Sequence, residues 1–526
     1  MELADRLADL LRPDAFPHAA RDLRLIETHI SWVILAGDFA YKLHKPVNFG
    51  FLDFSTPERR RADCEAEVRL NQRLCPDLYL GVVDVVERDD GRLYIAGSGV
   101  PVEPAVQMHR LPESGMLPKL LERGDCDERL AQRLAQNLAE FHAVAATGPG
   151  VDEYGGIDTL RANWEENFAQ TTLIDPSKRD AIRTYVDGFI ADNAALIQRR
   201  IATGRIRDGH GDLHAASVCV THRRLYMFDC IEFNARFRCA DVAAEVAFLA
   251  MDLEHLGRAD LAAAFVDAYV RSSGDAELRL LLDFYKCYRA FVRGKVLVLR
   301  LAESNLNADT RAGISKDACA YFDLAHAYAN PLPKPTLIVT MGLPASGKTT
   351  LAKGLAGRLG LVHLSSDITR KHLVGMRANL RSTDSFECGM YARGMSRRTY
   401  AVMRRKAARW LRRGRSVVLD ATYGLPSERA ALRQLARHTG ARLYVIVCRA
   451  DDALLQQRLL ARTTDPLSTS DARPELWPAL RAAFVEPTDV PIAFEADTTR
   501  PSEALLGQLM SDIYGLQTSS ATAEAA

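Results

Sequence analysis

Charge of one sign is missing from this sequence: 68 Lys and Arg stand against 67 Asp and Glu, a formal net charge of +1. Such a balance creates no global field for nucleic acid or anionic lipid, so either partner would have to meet a local patch. Cysteine is sparse, with 10 residues scattered over 526. Positions such as Cys64, Cys126, Cys230 and Cys448 form no CxxC pair and no Cys/His group with zinc-ligand spacing. Reduced thiols in a reducing compartment are the expectation. Long apolar runs are lacking too. The best candidate, Val242–Leu253, is broken by Glu245 and Asp252, so no membrane span is expected. The first residues, MELADRLADLLRP, are acidic and amphipathic and lack the basic-then-apolar order of a signal peptide. A cytoplasmic protein with no membrane partner is the reading. No internal repeat is evident.

What is present is ordinary globular composition, 48% hydrophobic and 26% charged, in a chain of 526 residues. That length predicts two or three domains. Alternate prolines in Asn330-Pro-Leu-Pro-Lys-Pro335 favour extended geometry and read as a linker over 329–335. After it, short β-rich runs alternate with helical segments. The runs are Thr336–Met341, Leu361–Leu364, Ser416–Leu419, Arg442–Val447 and Pro491–Phe494, and the helices include Lys348–Leu359 and Ser427–His438. Alternation of this kind predicts an α/β domain over 336–516, with helices on both faces of a parallel sheet. Residues 517–526, small and polar, are expected to fray. Before the linker, 1–328 reads as α+β. Strands are expected at Leu23–Glu27, Trp32–Leu35 and Phe39–Leu43 around a Gly37-Asp38 turn, then at Val82–Glu87 and Leu93–Ala96 beyond a charged helix over Pro57–Leu74. From Leu117 to Ala327 helices dominate, interrupted near His210–Phe233. The order is that of a small β lobe followed by a helical lobe.

Gly342-Leu343-Pro344-Ala345-Ser346-Gly347-Lys348-Thr349, with Thr350 next, matches G-x4-G-K-[ST] between a strand and a helix. Glycines there let backbone N–H groups turn onto phosphate, and the helix N-terminus adds its dipole to the same anion. Lys348 would neutralise the β/γ-phosphates of ATP, and the Thr349 hydroxyl would hold Mg²⁺. Asp367 ends the second strand with Arg370 close behind, where an acceptor hydroxyl needs a base and an orienting cation. Asp420 ends an apolar strand and suits a carboxylate holding Mg²⁺. Arg458 and Arg462, four apart on a helix, would project together as a lid. These matches (GLPASGKT, Ser365-Ser-Asp367 with Arg370, Leu419-Asp-Ala-Thr422, and the arginine pair followed by Ser470-Asp-Ala472) resemble the small P-loop kinases that phosphorylate hydroxyls, of the AAA_33 type. That group includes polynucleotide-kinase-like, gluconate-kinase-like and chloramphenicol-phosphotransferase-like domains. The resemblance implies Asp367 as general base and Arg458 and Arg462 as lid arginines.

Upstream, His210-Gly-Asp212-Leu-His214 precedes Asp229 by seventeen residues from Asp212. Two aspartates ending adjacent short strands suit phosphoryl transfer, one taking the acceptor proton and the other holding Mg²⁺. Lys42 in Phe39–Leu43 would meet the α/β-phosphates and pair with a helix carboxylate, Glu67 ahead of Glu65. No GxGxxG is present, and Thr28-His29-Ile30-Ser31 would stand in as the phosphate loop. With Ile231-Glu232-Phe233 and Asp241, these residues resemble the aminoglycoside-phosphotransferase/choline-kinase-like branch of the protein-kinase-like fold. The whole chain is similar to the bacterial group in which that domain is fused to a P-loop kinase. The family pattern HGDLH-x-x-N implies a metal ligand where this chain has Ser217, a weaker ligand than asparagine. Two basic stripes remain. Tyr285, Arg289, Arg293 and Lys295 share a helix, as does Arg397–Arg415 with Tyr400, Met403, Ala407 and Trp410; a solvated face is the commoner meaning of each. The sequence thus predicts an ATP- and Mg²⁺-dependent phosphotransferase acting on the hydroxyl of a small molecule, with nucleic acid the minority partner. Two alternatives stay open: a first domain that only senses nucleotide, and a polynucleotide 5′-hydroxyl kinase.

Overall fold

Short apolar runs decide the two larger sheets of this chain, the second of them buried on both faces at its centre. The computed structural model describes all residues except 1–2, 29, 49, 51, 172, 223, 303–305, 333–334, 378–379, 381, 383–387, 464–469 and 525–526, and only the backbone of 515–524. After short helical turns over Leu3–Ala15, the N-terminal half forms β1 (Arg24–Glu27), β2 (Ser31–Ala36) and β3 (Phe39–His44), with Gly37 at φ +60° in the β2–β3 turn. The helix Pro57–Asn71 follows, then β4 (Tyr79–Glu87), β5 (Leu93–Ile95) and β6 (Val100–His109). They form one antiparallel sheet of order β1-β2-β3-β6-β4-β5. The strand β6 is absent from the sequence expectation, because Pro101 and Pro104 argue against a central strand. The sheet tolerates them with a register shift against β4 between Val85 and Val86.

Beyond this lobe, helices gather around Val242–His255, which is buried along nearly its whole length. Phe248 and Leu249 meet Leu134, Phe265 and Phe291 in one large core. Burying each such side chain contributes about 1.5–3 kcal/mol. The interruption near His210 consists of two small ribbons, β7 (Ile206–Asp208) with β10 (Cys239–Asp241), and β8 (Val218–Val220) with β9 (Leu225–Met227). Arg200 locks β10 to the lobe. Its guanidinium forks onto Asp241 at 2.6 and 2.7 Å and onto Asp275 at 2.8 Å twice, all three residues being buried. Asp241 also caps the helix Val242–His255 through Ala243 N–H, so its role is architectural.

The C-terminal half is a parallel sheet of order β12-β13-β11-β14-β15, with β11 Thr336–Met341, β12 Val362–Ser365, β13 Val417–Asp420, β14 Arg442–Arg449 and β15 Phe494–Asp497. Every residue of β11 and β13 is buried. Leu337 and Val339 face Met403, Leu411 and Leu432, while Ile338 faces Leu355, Leu509 and Ile513 on the other side. That is the two-sided burial a parallel sheet requires. The last strand starts three residues later than expected, since Pro491 has no N–H to donate to a ladder. The closing helix runs Ser502–Glu524, past the expected end at 516; no glycine or proline interrupts the segment from Leu516 to Glu524. The basic helix Arg393–Leu411 buries Met403, Ala407 and Leu411 against the sheet.

The two halves touch extensively. Arg358 of the helix Lys348–Leu359 pairs with Asp323 and Glu503, and Arg415 pairs with Glu254 at the end of the central helix. Arg258 and Val362 form an isolated β-bridge between the halves. The expected linker lies in part outside the described residues, at 333–334.

Replacing Arg200 by Met would leave two carboxylates buried without their cation, which costs about 3–5 kcal/mol. Urea denaturation followed by circular dichroism is expected to show the N-terminal half unfolding at distinctly lower denaturant.

Candidate active sites

Two clusters of the expected residues assemble, one in each half. In the first, β3 carries Lys42 inward, where Nζ lies 2.9 Å from Glu67 Oε1 and 3.0 Å from Asp229 Oδ1. Glu67 is fully buried on the helix Pro57–Asn71, whereas Glu65 is exposed. Burial works against the lysine's charge, but the Asp229 and Glu67 carboxylates outweigh it and raise its pKa. Asp229 sits at φ +65°, a strained left-handed conformation for a non-glycine residue. Lys42 holds its carboxyl below the usual range. The expected phosphate loop is engaged internally. Thr28 Oγ1 bonds Ser31 O and N–H, Ser31 Oγ meets His44 Nδ1, and His29 lies outside the described residues.

His210 ties the two aspartate segments together. Its Nε2 meets Phe228 O at 2.9 Å, its carbonyl accepts Ile231 N–H, and Glu245 accepts its backbone N–H. Gly211, at φ +85°, has Phe237 O 3.0 Å from where a Cβ would stand. This turn presents Asp212, whose carboxylate is 3.6 Å from His214 Nε2. Burial would raise its pKa, yet His214, Arg293 and His210 hold it well below the ordinary value. Sequence reasoning missed His214 and set Arg293 on a solvated stripe. Tyr285, Arg289 and Lys295 of that stripe are buried and Arg293 is half-buried: Arg289 lies over the Phe248 ring at 4.7 Å, and Arg293 Nη1 approaches His214 Nε2 at 3.4 Å.

Ser217 does not present its hydroxyl to the site. Its Oγ bonds Asp212 O at 3.1 Å and His214 O at 2.8 Å and accepts His214 N–H at 3.0 Å. Its one hydrogen, shared between two carbonyls, and the N–H it accepts turn the hydroxyl onto the loop's own backbone rather than toward a cation. Of the two expected ligands in this half, only Asp229 fits a metal.

In the second cluster, the loop after β11 wraps around its own backbone. Gly342 has φ +141°, and a Cβ there would stand 2.5 Å from Cys448 O; Ala345 and Gly347 also have positive φ. The loop delivers Lys348 Nζ to Leu343 O at 2.5 Å and Ser346 Oγ at 3.4 Å. Burial lowers the lysine's pKa, opposed by Asp420. Asp420 ends β13 beside β11. Burial would raise it, but His363, Lys348 and the Thr349 hydroxyl keep it ionised. An ionised carboxylate bonded by a hydroxyl is a hard-oxygen donor pair of the kind Mg²⁺ takes. Asp367 follows β12. Burial raises its pKa, with Arg370 3.2 Å away opposing. Arg370 lies 4.6 Å over the Tyr391 ring, and Tyr391 in turn donates to Asp471 at 2.7 Å. No spacing in the sequence signals this Tyr391–Asp471 brace.

The two expected lid arginines both lie beside the phosphate loop, Arg458 with Nη1 3.5 Å from Ala345 O. Arg458 donates to Thr498 Oγ1 at 3.0 Å and Thr498 O at 2.6 Å, binding the phosphate loop's neighbourhood to the strand-end loop. Arg462 lies close enough to Lys348 to lower its pKa. Phosphate loop, Asp367 and Asp420 therefore meet at the carboxyl ends of three adjacent parallel strands, where ligands bind in open α/β sheets.

Comparison with known proteins agrees with this division. The Phosphotransferase enzyme family (APH) matches residues 48–281, and an AAA domain of the AAA_33 type matches 337–487. Uncharacterized proteins of Mycobacterium tuberculosis and Mycobacterium bovis are 33% identical over 487 residues, covering 92% of this chain and 93% of their own. Among solved structures, a choline/ethanolamine kinase family protein from Mesorhizobium loti aligns at 15% identity over 62% of this chain and 99% of its own, with a TM-score of 0.38. A gluconokinase from Sinorhizobium meliloti aligns at 18% identity over 35% of this chain and 95% of its own, with a TM-score of 0.26.

If the Ser217 hydroxyl holds the loop, Ser217→Ala should lower stability by about 1–3 kcal/mol, the cost of unpaired buried polar groups. Denaturation in chelator should show the same loss as denaturation with Mg²⁺, whereas a metal ligand would show it only with the cation present.

Proposed function

Because the chain belongs to the bacterial family that fuses a phosphotransferase-type, protein-kinase-like domain to a C-terminal P-loop kinase domain, we propose that this kinase uses ATP and Mg²⁺ to phosphorylate the hydroxyl of a small molecule, with the chemistry at the P-loop centre. The observation that carries this reading is the convergence of Lys348, Asp367 and Asp420 at the ends of adjacent strands beside a backbone cradle.

In this reading the cradle's N–H groups and Lys348 receive the β- and γ-phosphates, with Lys348 exchanging its present carbonyl partner, Leu343 O, for phosphate oxygen. Thr349 and Asp420 would hold Mg²⁺, which supplies neutralising charge on the phosphates when bound. Asp367 accepts the proton of the acceptor hydroxyl as the acceptor oxygen bonds to the γ-phosphorus. The bond from that phosphorus to the β-bridging oxygen breaks, and ADP leaves. Burial suits Asp367 to the task, since a raised carboxylate pKa brings a base nearer the working pH. Arg370 orients Asp367, and Arg462 adds charge beside the transferring group. Arg458 supports the loop from outside.

The engaged Ser217 hydroxyl favours a second role for the first half, nucleotide or ligand sensing, without excluding Asp212 as a base there. The basic helix at 393–411 buries Met403, Ala407 and Leu411 and pairs Arg404 with Glu428, while Arg397, Arg398, Arg405, Lys406 and Arg409 stay exposed, so the choice between a small-molecule acceptor and a polynucleotide rests on the acceptor test.

Acceptor-stimulated ADP release against a pooled panel of hydroxyl metabolites, nucleosides, oligonucleotides and aminoglycosides tests the proposal. Lys348→Ala and Asp367→Asn are each expected to cut it about 10²-fold or more. Asp212→Ala should leave the chemistry in place. Loss with Asp212→Ala alone would move the reaction to the first half, and stimulation by oligonucleotides alone would favour the polynucleotide reading.

A further inference from the structure

Directly behind Lys42, β3 and the helix Pro57–Asn71 enclose a second group of ligand-type atoms. His44 is 1% exposed, and its Nδ1 lies 3.2 Å from Ser31 Oγ. Its other ring nitrogen faces carboxylates: Nε2 is 3.1 Å from Asp63 Oδ2 and 3.7 Å from Glu67 Oε2. Glu232, half-buried, closes the group, and ligand atoms of His44, Glu67 and Glu232 all lie within 4.8 Å of one another. Asp63 is within hydrogen-bonding reach of Glu232. Yet His44 Nε2, Asp63 Oδ2 and Glu67 Oε2 are buried without any hydrogen-bond partner.

Charge and bonding both ask for something positive here. The Asp63, Glu67, Asp229 and Glu232 carboxylates crowd around Lys42 as their paired cation, while nearby Arg60 is claimed bidentately by Glu103. Buried carboxylates in excess of their cations are strongly unfavourable. An imidazole that donates Nδ1–H to Ser31 leaves a bare Nε2 lone pair facing carboxylate lone pairs, an arrangement that only an intervening cation or proton makes attractive. The other tautomer would put a hydrogen on Nε2, but no in-line bond to Asp63 forms.

We propose that His44, Glu67 and Glu232, completed by Asp63, bind a transition-metal dication of the Zn²⁺ or Mn²⁺ class. One imidazole among carboxylates suits these ions better than Mg²⁺ or Ca²⁺, which take oxygen alone. Four ligands on such an ion stand about 3.4 Å apart, which the 3.1 and 3.7 Å separations bracket. Ser31 supplies the outer hydrogen bond that fixes a metal-binding histidine. The half-exposed Glu232 gives the ion its way in. The site is separate from the Asp229 and Ser217 positions expected to hold Mg²⁺ and needs no nucleotide. Bound there, the ion would fix the second oxygen of Glu67 and hence the position of Lys42.

Full-length protein stripped with chelator is loaded with Zn²⁺ or Mn²⁺ in the absence of nucleotide. Retained metal is then counted by mass spectrometry after gel filtration, and affinity is read by titration. Wild type should retain one ion per chain more than His44→Phe or Glu232→Gln, and either variant should weaken binding by about tenfold or more. The melting temperature should rise with metal in wild type only. Should His44→Phe fail to fold, Glu232→Gln, on the accessible side, decides. A wild type that retains no ion overturns the proposal, as do folded variants that bind the same number with the same affinity; protons would then hold the cluster together.

Discussion

Three carboxylates buried on one helix organise this molecule. The helix Val242–His255 runs through the core, and Glu245, Asp252 and Glu254 on it are each at most 5% exposed. A buried carboxylate must be bonded on all sides or it destabilises the fold by several kcal/mol, so each of the three dictates its surroundings. Glu245 takes His210 N–H, setting the start of the HGD turn. Asp252 takes Ala215 N–H and the Tyr321 hydroxyl, setting its end. Glu254 takes Lys286, the Tyr328 hydroxyl and, across the boundary between halves, Arg415. One rigid element thus shapes the first candidate site and anchors the half that holds the second.

This arrangement relates the two centres physically. His255, next to Glu254, lies against the helix that follows the phosphate loop: its carbonyl would be 2.5 Å from a Cβ added at Gly357. Arg358 on the same helix reaches Asp323, which Lys178 also holds at 2.6 Å. A shift of the phosphate-loop helix therefore presses on the element that carries Asp252.

Much of this was legible in the sequence. β11 and the helix Lys348–Leu359 have the predicted limits, because an apolar run, a glycine loop and a C-terminal Gly360 are strong local signals. Lys42, Glu67 and Asp229 come together as expected, since an inward lysine on a strand and a carboxylate on the next helix leave few other partners. The acids that broke the apolar run at Val242–Leu253 read only as an argument against a membrane span; their long-range partners carry no periodicity. The same holds for the inward turn of the Ser217 hydroxyl, the engagement of Arg458 by Thr498, the burial of Arg289 and the approach of Arg293 to His214. Each depends on which distant backbone or ring the fold brings alongside. Prolines concealed β6, because a proline's penalty in a strand is local while the pairing that absorbs it is not.

Two nucleotide centres in one chain, built around Lys348 and Lys42, with the chemistry at the first, are the arrangement proposed for this protein. Calorimetric titration with a non-hydrolysable ATP analogue and Mg²⁺ on wild type, Lys348→Ala and Lys42→Ala tests it most directly. Two binding events are expected in wild type, with Lys348→Ala removing one and Lys42→Ala the other. A single event abolished by Lys42→Ala and indifferent to Lys348→Ala would contradict it.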